Sequence, residues 1–114
     1  MGAFIGKQPR EPVDMSGPKA EFVKETISRD KVVIFSKSYC PYCVMAKEQF
    51  KKLDQSFLAI ELDKRDDADE IQDILEEMTG ARTVPRVFIQ GRCVGGGTDV
   101  KKMYESGELK NALQ

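Results

Sequence analysis

Three short stretches of the 114-residue sequence hold residue types that can do chemistry. The first is Cys40-Pro41-Tyr42-Cys43, two thiols separated by two residues. The others are Thr83-Val84-Pro85 and the run Gly95-Gly96-Gly97-Thr98-Asp99. A thiol pair at this spacing suits three tasks. It can be half of a metal clip, a short structural disulfide, or a redox couple in which one thiolate attacks a disulfide and the second thiol resolves the product.

Composition weighs on that choice. The chain has no histidine and three cysteines, Cys40, Cys43 and Cys93. Structural zinc is held by four cysteine or histidine ligands, so a site here would need a carboxylate to complete it. A disulfide across two intervening residues closes too short a loop to stabilise much. Three cysteines are also too few for a disulfide scaffold, which points to a reducing compartment. The net charge is −1, with 18 basic and 19 acidic residues interspersed, so neither nucleic acid nor an anionic membrane is an expected partner. The sequence contains no apolar run of about 18 residues that would span a bilayer. The expected setting is the cytoplasm, with an organelle as the alternative.

The reactive stretches need elements to hold them. Residues 1–15 lack periodicity and read as a flexible N-terminal arm, leaving a single domain over 16–114. Ser16 before Gly17-Pro18 predicts a helix start, with Phe22, Val23 and Ile27 on one face and Met15 stapled onto Ala20. Val32–Ser36 is a continuous apolar, β-branched run, the mark of a strand buried on both faces. After Pro41, the apolar residues Val44, Met45, Phe50 and Leu53 recur at helical spacing.

A second strand is expected over 57–63, with Leu58, Ile60 and Leu62 on one face. Asp67 and Glu70 resemble a capping box before the stripe Ile71, Ile74, Leu75 and Met78, which ends at Gly80. Residues 86–89 and 92–94 around Gln90-Gly91 read as a hairpin. A last helix is expected with Thr98 as its cap and Val100, Met103 and Tyr104 inward, broken at Gly107. The order α-β-α-β-α-β-β-α predicts one mixed sheet covered by helices on both faces.

This layout sets Cys40 at a helix N-cap, facing the Tyr42 and Cys43 N–H groups, with Cys43 one turn inside. Half-ionising an ordinary thiol at neutral pH takes roughly 2 kcal/mol. A helix terminus supplies about 0.3–1 kcal/mol, rising to ~2 in good geometry. One charge-assisted hydrogen bond adds ~1.5–3 kcal/mol. Together they suffice without an imidazole base, and Lys37 adds a little more. Cys43 receives less help, so Cys40 is expected to attack and Cys43 to resolve. Pro85 reads either as a loop proline opening a strand or as a cis bond that frees the Val84 N–H and C=O for an extended peptide. The glycines read as a turn or as a close approach for a carboxylate, with Asp99 placed to accept from an ammonium. Cys93 reads as a small buried hydrophobe, with a regulatory thiol as the alternative.

The ordered set Cys40-Pro41-Tyr42-Cys43, Thr79-Gly80-Ala81-Arg82-Thr83-Val84-Pro85 and Gly95–Asp99 resembles a dithiol glutaredoxin from Ser16 to Gln114. The resemblance implies an α/β thioredoxin fold, a four-stranded mixed sheet flanked by helices on both faces, with an extra N-terminal helix. Thioredoxins usually carry Trp-Cys-Gly-Pro-Cys, and this chain has no tryptophan. The family implies glutathione as cosubstrate, no tightly bound cofactor and no metal. Carried over, Lys37 and Gln72 would hold the glycine carboxylate. The Val84 backbone would pair with the cysteine residue of the tripeptide, beside Thr83 and Pro85. Gly97, Thr98 and Asp99 would take the γ-glutamyl end, Tyr42 would border the pocket, and Arg82 would add to the positive field.

The implied activity is reduction of protein–glutathione mixed disulfides and of protein or small-molecule disulfides by a monomer, in the service of redox homeostasis. Glutathione reductase would recycle the glutathione. One rival is a carrier in which two protomers hold a [2Fe–2S] cluster through Cys40 and two glutathiones; Pro41 counts against it. Another is a general protein-disulfide reductase fed by a thioredoxin-reductase-type partner, against which the Gly95–Asp99 segment favours glutathione.

Overall fold

Every residue of the strand Val32–Ser36 (β1) is buried, and the fold is arranged around it. The computed structural model describes residues 12–114. β1 pairs in parallel with Leu58–Glu61 (β2) and antiparallel with Arg86–Ile89 (β3), which pairs antiparallel with Arg92–Gly95 (β4). The sheet order is β2-β1-β3-β4, with β2 and β4 as edges. The hairpin closes through Gln90 and Gly91, both at positive φ (50° and 82°), a backbone shape that matches the right-handed twist of the flanking strands.

Strand alternation divides the core in two. On one face Val33, Phe35 and Phe88 pack with Ala20, Val23 and Ile27 of Pro18–Arg29 (α1) and with Ile71, Ile74 and Leu75 of Ala68–Thr79 (α3). On the other, Val32, Ile34, Val87 and Ile89 pack with Ala46 and Phe50 of Pro41–Lys52 (α2), Val100 of Gly97–Ser106 (α4) and Leu109 of Glu108–Ala112 (α5). This is the thioredoxin fold, with helices on both faces of a four-stranded mixed sheet.

Several boundaries differ from the sequence reading, each for a local reason. Residues 12–15, read as the end of the arm, lie against the domain: Val13 and Met15 pack on the α1–α3 core. The rest of the arm reading, over 1–11, falls outside the described residues. Gly17, not Ser16, is the N-cap of α1, because the Ser16 hydroxyl donates to Asp14 at 2.8 Å. Leu62 leaves the strand for a 3-10 turn (Leu62–Lys64) yet stays buried. Asp67 does not cap α3 with its side chain; Lys19 Nζ (2.6 Å) and Arg65 Nε (2.8 Å) donate to its carboxylate instead.

In α2 the inward residues are Cys43, Ala46, Gln49 and Phe50, while Val44 is exposed. The helix phase runs from Pro41 as first residue, which turns Cys43 inward. Thr98 is not a cap either. α4 begins at Gly97, and the N–H of its N-cap Gly96 donates to Asp99 Oδ2 at 2.9 Å. Cys93 is exposed on the edge strand β4, so it is not the buried hydrophobe expected.

Candidate active site

The site is built where β1 ends and α2 begins. Cys40 is the N-cap of α2 with an extended backbone (φ −83°, ψ 122°), and Pro41 takes the first helical position, where no backbone donor is needed. The Cys40 N–H donates to Lys37 O at 3.0 Å, which closes the turn leaving the strand. The Cys43 N–H donates to Cys40 O at 3.1 Å. That amide is therefore committed to the backbone, and the Cys40 sulfur takes no capping bond. The Cys40 thiol instead stands 3.9 Å from the Val84 carbonyl, as suits a weak S–H donor.

Cys43 lies one turn deeper and is fully buried. The Lys37 N–H donates to its sulfur at 3.4 Å. Burial pushes the Cys43 thiol up, outweighing that N–H and the neighbouring Ser36 hydroxyl, which pull the other way. Both cysteines are free thiols. The pair is thus asymmetric: one half-buried sulfur beside a helix terminus, one fully buried thiol held toward its protonated form in the core.

Three segments surround the accessible sulfur. Tyr39 and Tyr42, both exposed, flank it on the α2 side. The Val84-Pro85 bond is cis, Pro85 is buried, and the Val84 carbonyl faces Cys40. The Val84 N–H donates to none of the described residues. The first turn of α4 approaches from the third side. A Cβ on Gly97 would stand 2.5 Å from Tyr42 O, so this glycine is used to press α4 against α2. Thr98 and Asp99 follow it at the exposed end of α4. Lys37 is half-buried, and its ammonium has no ion pair among the described residues.

Two residues given a binding role by the resemblance also tie the surrounding elements together. Gln72 Nε2 donates to Arg82 O at 2.9 Å, so the donor assigned to a carboxylate ties α3 to the Thr83–Pro85 loop. The Arg82 guanidinium pairs with Asp73 and Asp69 on α3, which offset its charge. Asp99 keeps one oxygen on the Gly96 N–H. Two contributors went unread in the sequence. Asp63 accepts from the N–H and the hydroxyl of Ser38, anchoring the turn before Cys40. Arg86 Nε donates to Thr83 O and Pro85 O. Their only signal was place: Asp63 closes the second apolar run, and Arg86 directly follows the proline. Among the described residues, no three His, Cys, Asp or Glu side chains are grouped to hold a metal ion, and no helix is long and apolar enough to cross a membrane.

An accessible thiol at a helix N-cap with a buried thiol one turn inside suits exchange with a substrate disulfide. The class is thiol–disulfide oxidoreductase. Residues 32–94 match the glutaredoxin family model. Glutaredoxin-C4 of Arabidopsis thaliana is 56% identical over 98 residues, covering 86% of this chain and 73% of that protein. Mitochondrial glutaredoxin-2 of Mus musculus is 42% identical over 107 residues, 94% of this chain and 64% of its own. Among solved structures, a wheat glutaredoxin superposes with a TM-score of 0.82 at 46% identity, covering 86% of this chain and 92% of its own. A buckwheat glutaredoxin solved as a glutathione complex gives 0.80 at 38% identity, covering 83% and 86%. The chain belongs to the glutaredoxin family.

Proposed function

We propose that this oxidoreductase uses glutathione as cosubstrate, removing it from protein–glutathione mixed disulfides and reducing protein and small-molecule disulfides. The observation that carries the reading is the Val84 backbone. Its carbonyl lies 3.9 Å from the Cys40 sulfur and its N–H has no partner among the described residues. A disulfide-bearing peptide laid antiparallel against Val84 brings its own sulfur to Cys40. The buckwheat relative solved with glutathione supports a tripeptide as that ligand. Lys37 is the cation for the glycine end, while the Gly97 and Thr98 N–H groups and the second Asp99 oxygen serve the γ-glutamyl end. Tyr42, Thr83 and Pro85 line the groove. Gln72 and Arg82 act through the loop and α3.

In deglutathionylation, the Cys40 thiolate attacks the glutathione sulfur. A Cys40–glutathione disulfide forms and the original S–S bond breaks. Its electron pair leaves on the protein sulfur, which takes a proton from solvent. A second glutathione thiolate then attacks the bound glutathione sulfur, releasing glutathione disulfide and the Cys40 thiolate. Glutathione reductase returns the product to the thiol. With a protein disulfide, Cys43 can instead attack the Cys40 sulfur, forming the Cys40–Cys43 bond and releasing the second substrate thiol.

The protein works as a monomer in a reducing compartment, the cytoplasm or an organelle. A coupled assay on a glutathionylated peptide, run with and without glutathione, tests the reading. Turnover should require glutathione. Equal rates with an unrelated monothiol in its place would sink the proposal.

A further inference from the structure

The carbonyls of the Thr83–Pro85 loop are divided between two partners. Val84 O faces Cys40, whereas Thr83 O and Pro85 O, on either side of it, both accept from Arg86 Nε at 3.1 and 3.3 Å. Arg86 opens β3, and the next residue, Val87, packs on the α2–α4 face, so alternation sends the Arg86 side chain to the other side of the sheet. The guanidinium meets the loop at the Thr83 and Pro85 carbonyls, and the Val84 carbonyl between them is left to Cys40. A terminal nitrogen also lies 3.2 Å from where a Cβ on Gly96 would stand, which brings it to the turn that starts α4. Arg65 and Arg82 pair with carboxylates, but Arg86 has no carboxylate partner among the described residues.

We propose that Arg86 is a positioning residue that sets the Val84 backbone for the incoming peptide and keeps the loop in register with the Gly96 turn. The inference rests on the reading that the substrate peptide pairs with Val84. A guanidinium suits the task because its Nε–H is fixed in the plane of the fork and can be shared by two carbonyls. A lysine ammonium carries the charge without that geometry. Releasing Thr83 O and Pro85 O lets the peptide planes of the loop rotate, and Val84 N–H and C=O rotate with them. Peptide recognition suffers, while the Cys40 sulfur, which Arg86 does not touch, keeps its reactivity.

Arg86→Met and Arg86→Lys test this with three readouts: steady-state kinetics on a glutathionylated peptide, Cys40 alkylation by iodoacetamide, and the thermal midpoint. Both variants should raise KM about tenfold, the scale of one lost hydrogen bond to a charged group, with kcat little changed. Alkylation should proceed at the wild-type rate. Wild-type KM in Arg86→Lys would overturn the proposal in favour of charge alone. A parallel fall in kcat, alkylation rate and thermal midpoint would overturn it in favour of general structural damage. Hydroxyethyl disulfide, given to the reduced protein in a single turnover with no free glutathione, serves as the substrate without a peptide. If the wild type reacts with it at the same apparent affinity as with the glutathionylated peptide, pairing at Val84 itself fails. If the wild type prefers the peptide and the variants equal it, only the role of Arg86 fails.

Discussion

The Tyr42 carbonyl occupies the space into which a side chain at residue 97 would project: a Cβ on Gly97 would lie 2.5 Å from that oxygen and 3.1 Å from Tyr42 Cβ. Two helices from distant parts of the chain thus meet backbone to backbone beside the nucleophile. Gly97→Ala forces them apart, because a helical carbonyl cannot swing aside as a flexible side chain would. Alanine gains at most about 1 kcal/mol of helix propensity over glycine, and overpacking costs about 1–3 kcal/mol. The variant should be destabilised by about 1–2 kcal/mol in urea unfolding. Stability at or above wild type would show that α4 can retreat from α2 without cost.

The two cysteines should separate cleanly by mutation. Cys40→Ser should abolish every glutathione-linked activity, since a serine hydroxyl does not ionise at neutral pH. Cys43→Ser should keep deglutathionylation, which needs one thiolate and a second glutathione, and should lose the dithiol route to protein disulfides. Iodoacetamide at neutral pH should label Cys40 and leave Cys43, buried and protonated, untouched. Equal loss of deglutathionylation in both serine variants would favour a structural role for the pair.

Lys37 is the cation beside the nucleophile with no ion pair among the described residues. Lys37→Ala should raise KM for glutathione by no more than roughly fivefold, about 1 kcal/mol or less, because the site is open to solvent. Raising the salt should weaken the wild type more than the variant. Identical salt dependence in the two proteins would remove Lys37 from the binding site.

Asp67 joins α1 to the start of α3, and its carboxylate is buried to 7% exposure between Arg65 and Lys19. The hydrogen bond from Arg65, followed by that from Lys19, holds its carboxyl well below the usual carboxylate range. The unfolded chain titrates this group near the ordinary value of about 3.9. The stabilisation is therefore full above about pH 5 and declines as acid protonates the unfolded chain first. Asp67→Asn should cost about 1–2 kcal/mol at pH 7, given that both partners are about one-third exposed. The gap to wild type should narrow by pH 3 in urea titrations. A gap that stays constant with pH would mean that packing, not charge, supplies the stabilisation.

Strands and helix cores were legible where one period dominates. Val32–Ser36 and Arg86–Ile89 fall at the residues expected, because unbroken apolar runs in a sheet covered on both faces have no alternative use. Caps were less legible, because polar side chains choose among partners brought from afar. Asp67 fits a cap by local pattern but meets Lys19, 48 residues away in sequence. The placement of Cys40 and Cys43 at a helix start was readable, because Pro41 and the apolar spacing beyond it mark where that helix begins. Arg86 and Gln72 were not, since their tasks are bonds to carbonyls of one loop that only the folded chain brings near. Cys93 escaped because an edge strand leaves one sulfur outside that a central strand would have covered.

The burial of Cys43 has a kinetic consequence. Once Cys40 carries a substrate sulfur, internal closure must wait until a thiol that the core keeps protonated gives up its proton. A thiol arriving from solution must ionise too, but it does so at the ordinary value of about 8.5 with no burial to oppose it. The half-buried Cys40 sulfur is open to it. The fold thereby sets a branching ratio. Near neutral pH the intermediate is open to interception by outside thiols. Above the ordinary thiol range outside thiols are already ionised while Cys43 goes on ionising, so closure then gains on interception. The same two sulfurs thus shift from a one-thiol to a two-thiol device with no change in structure.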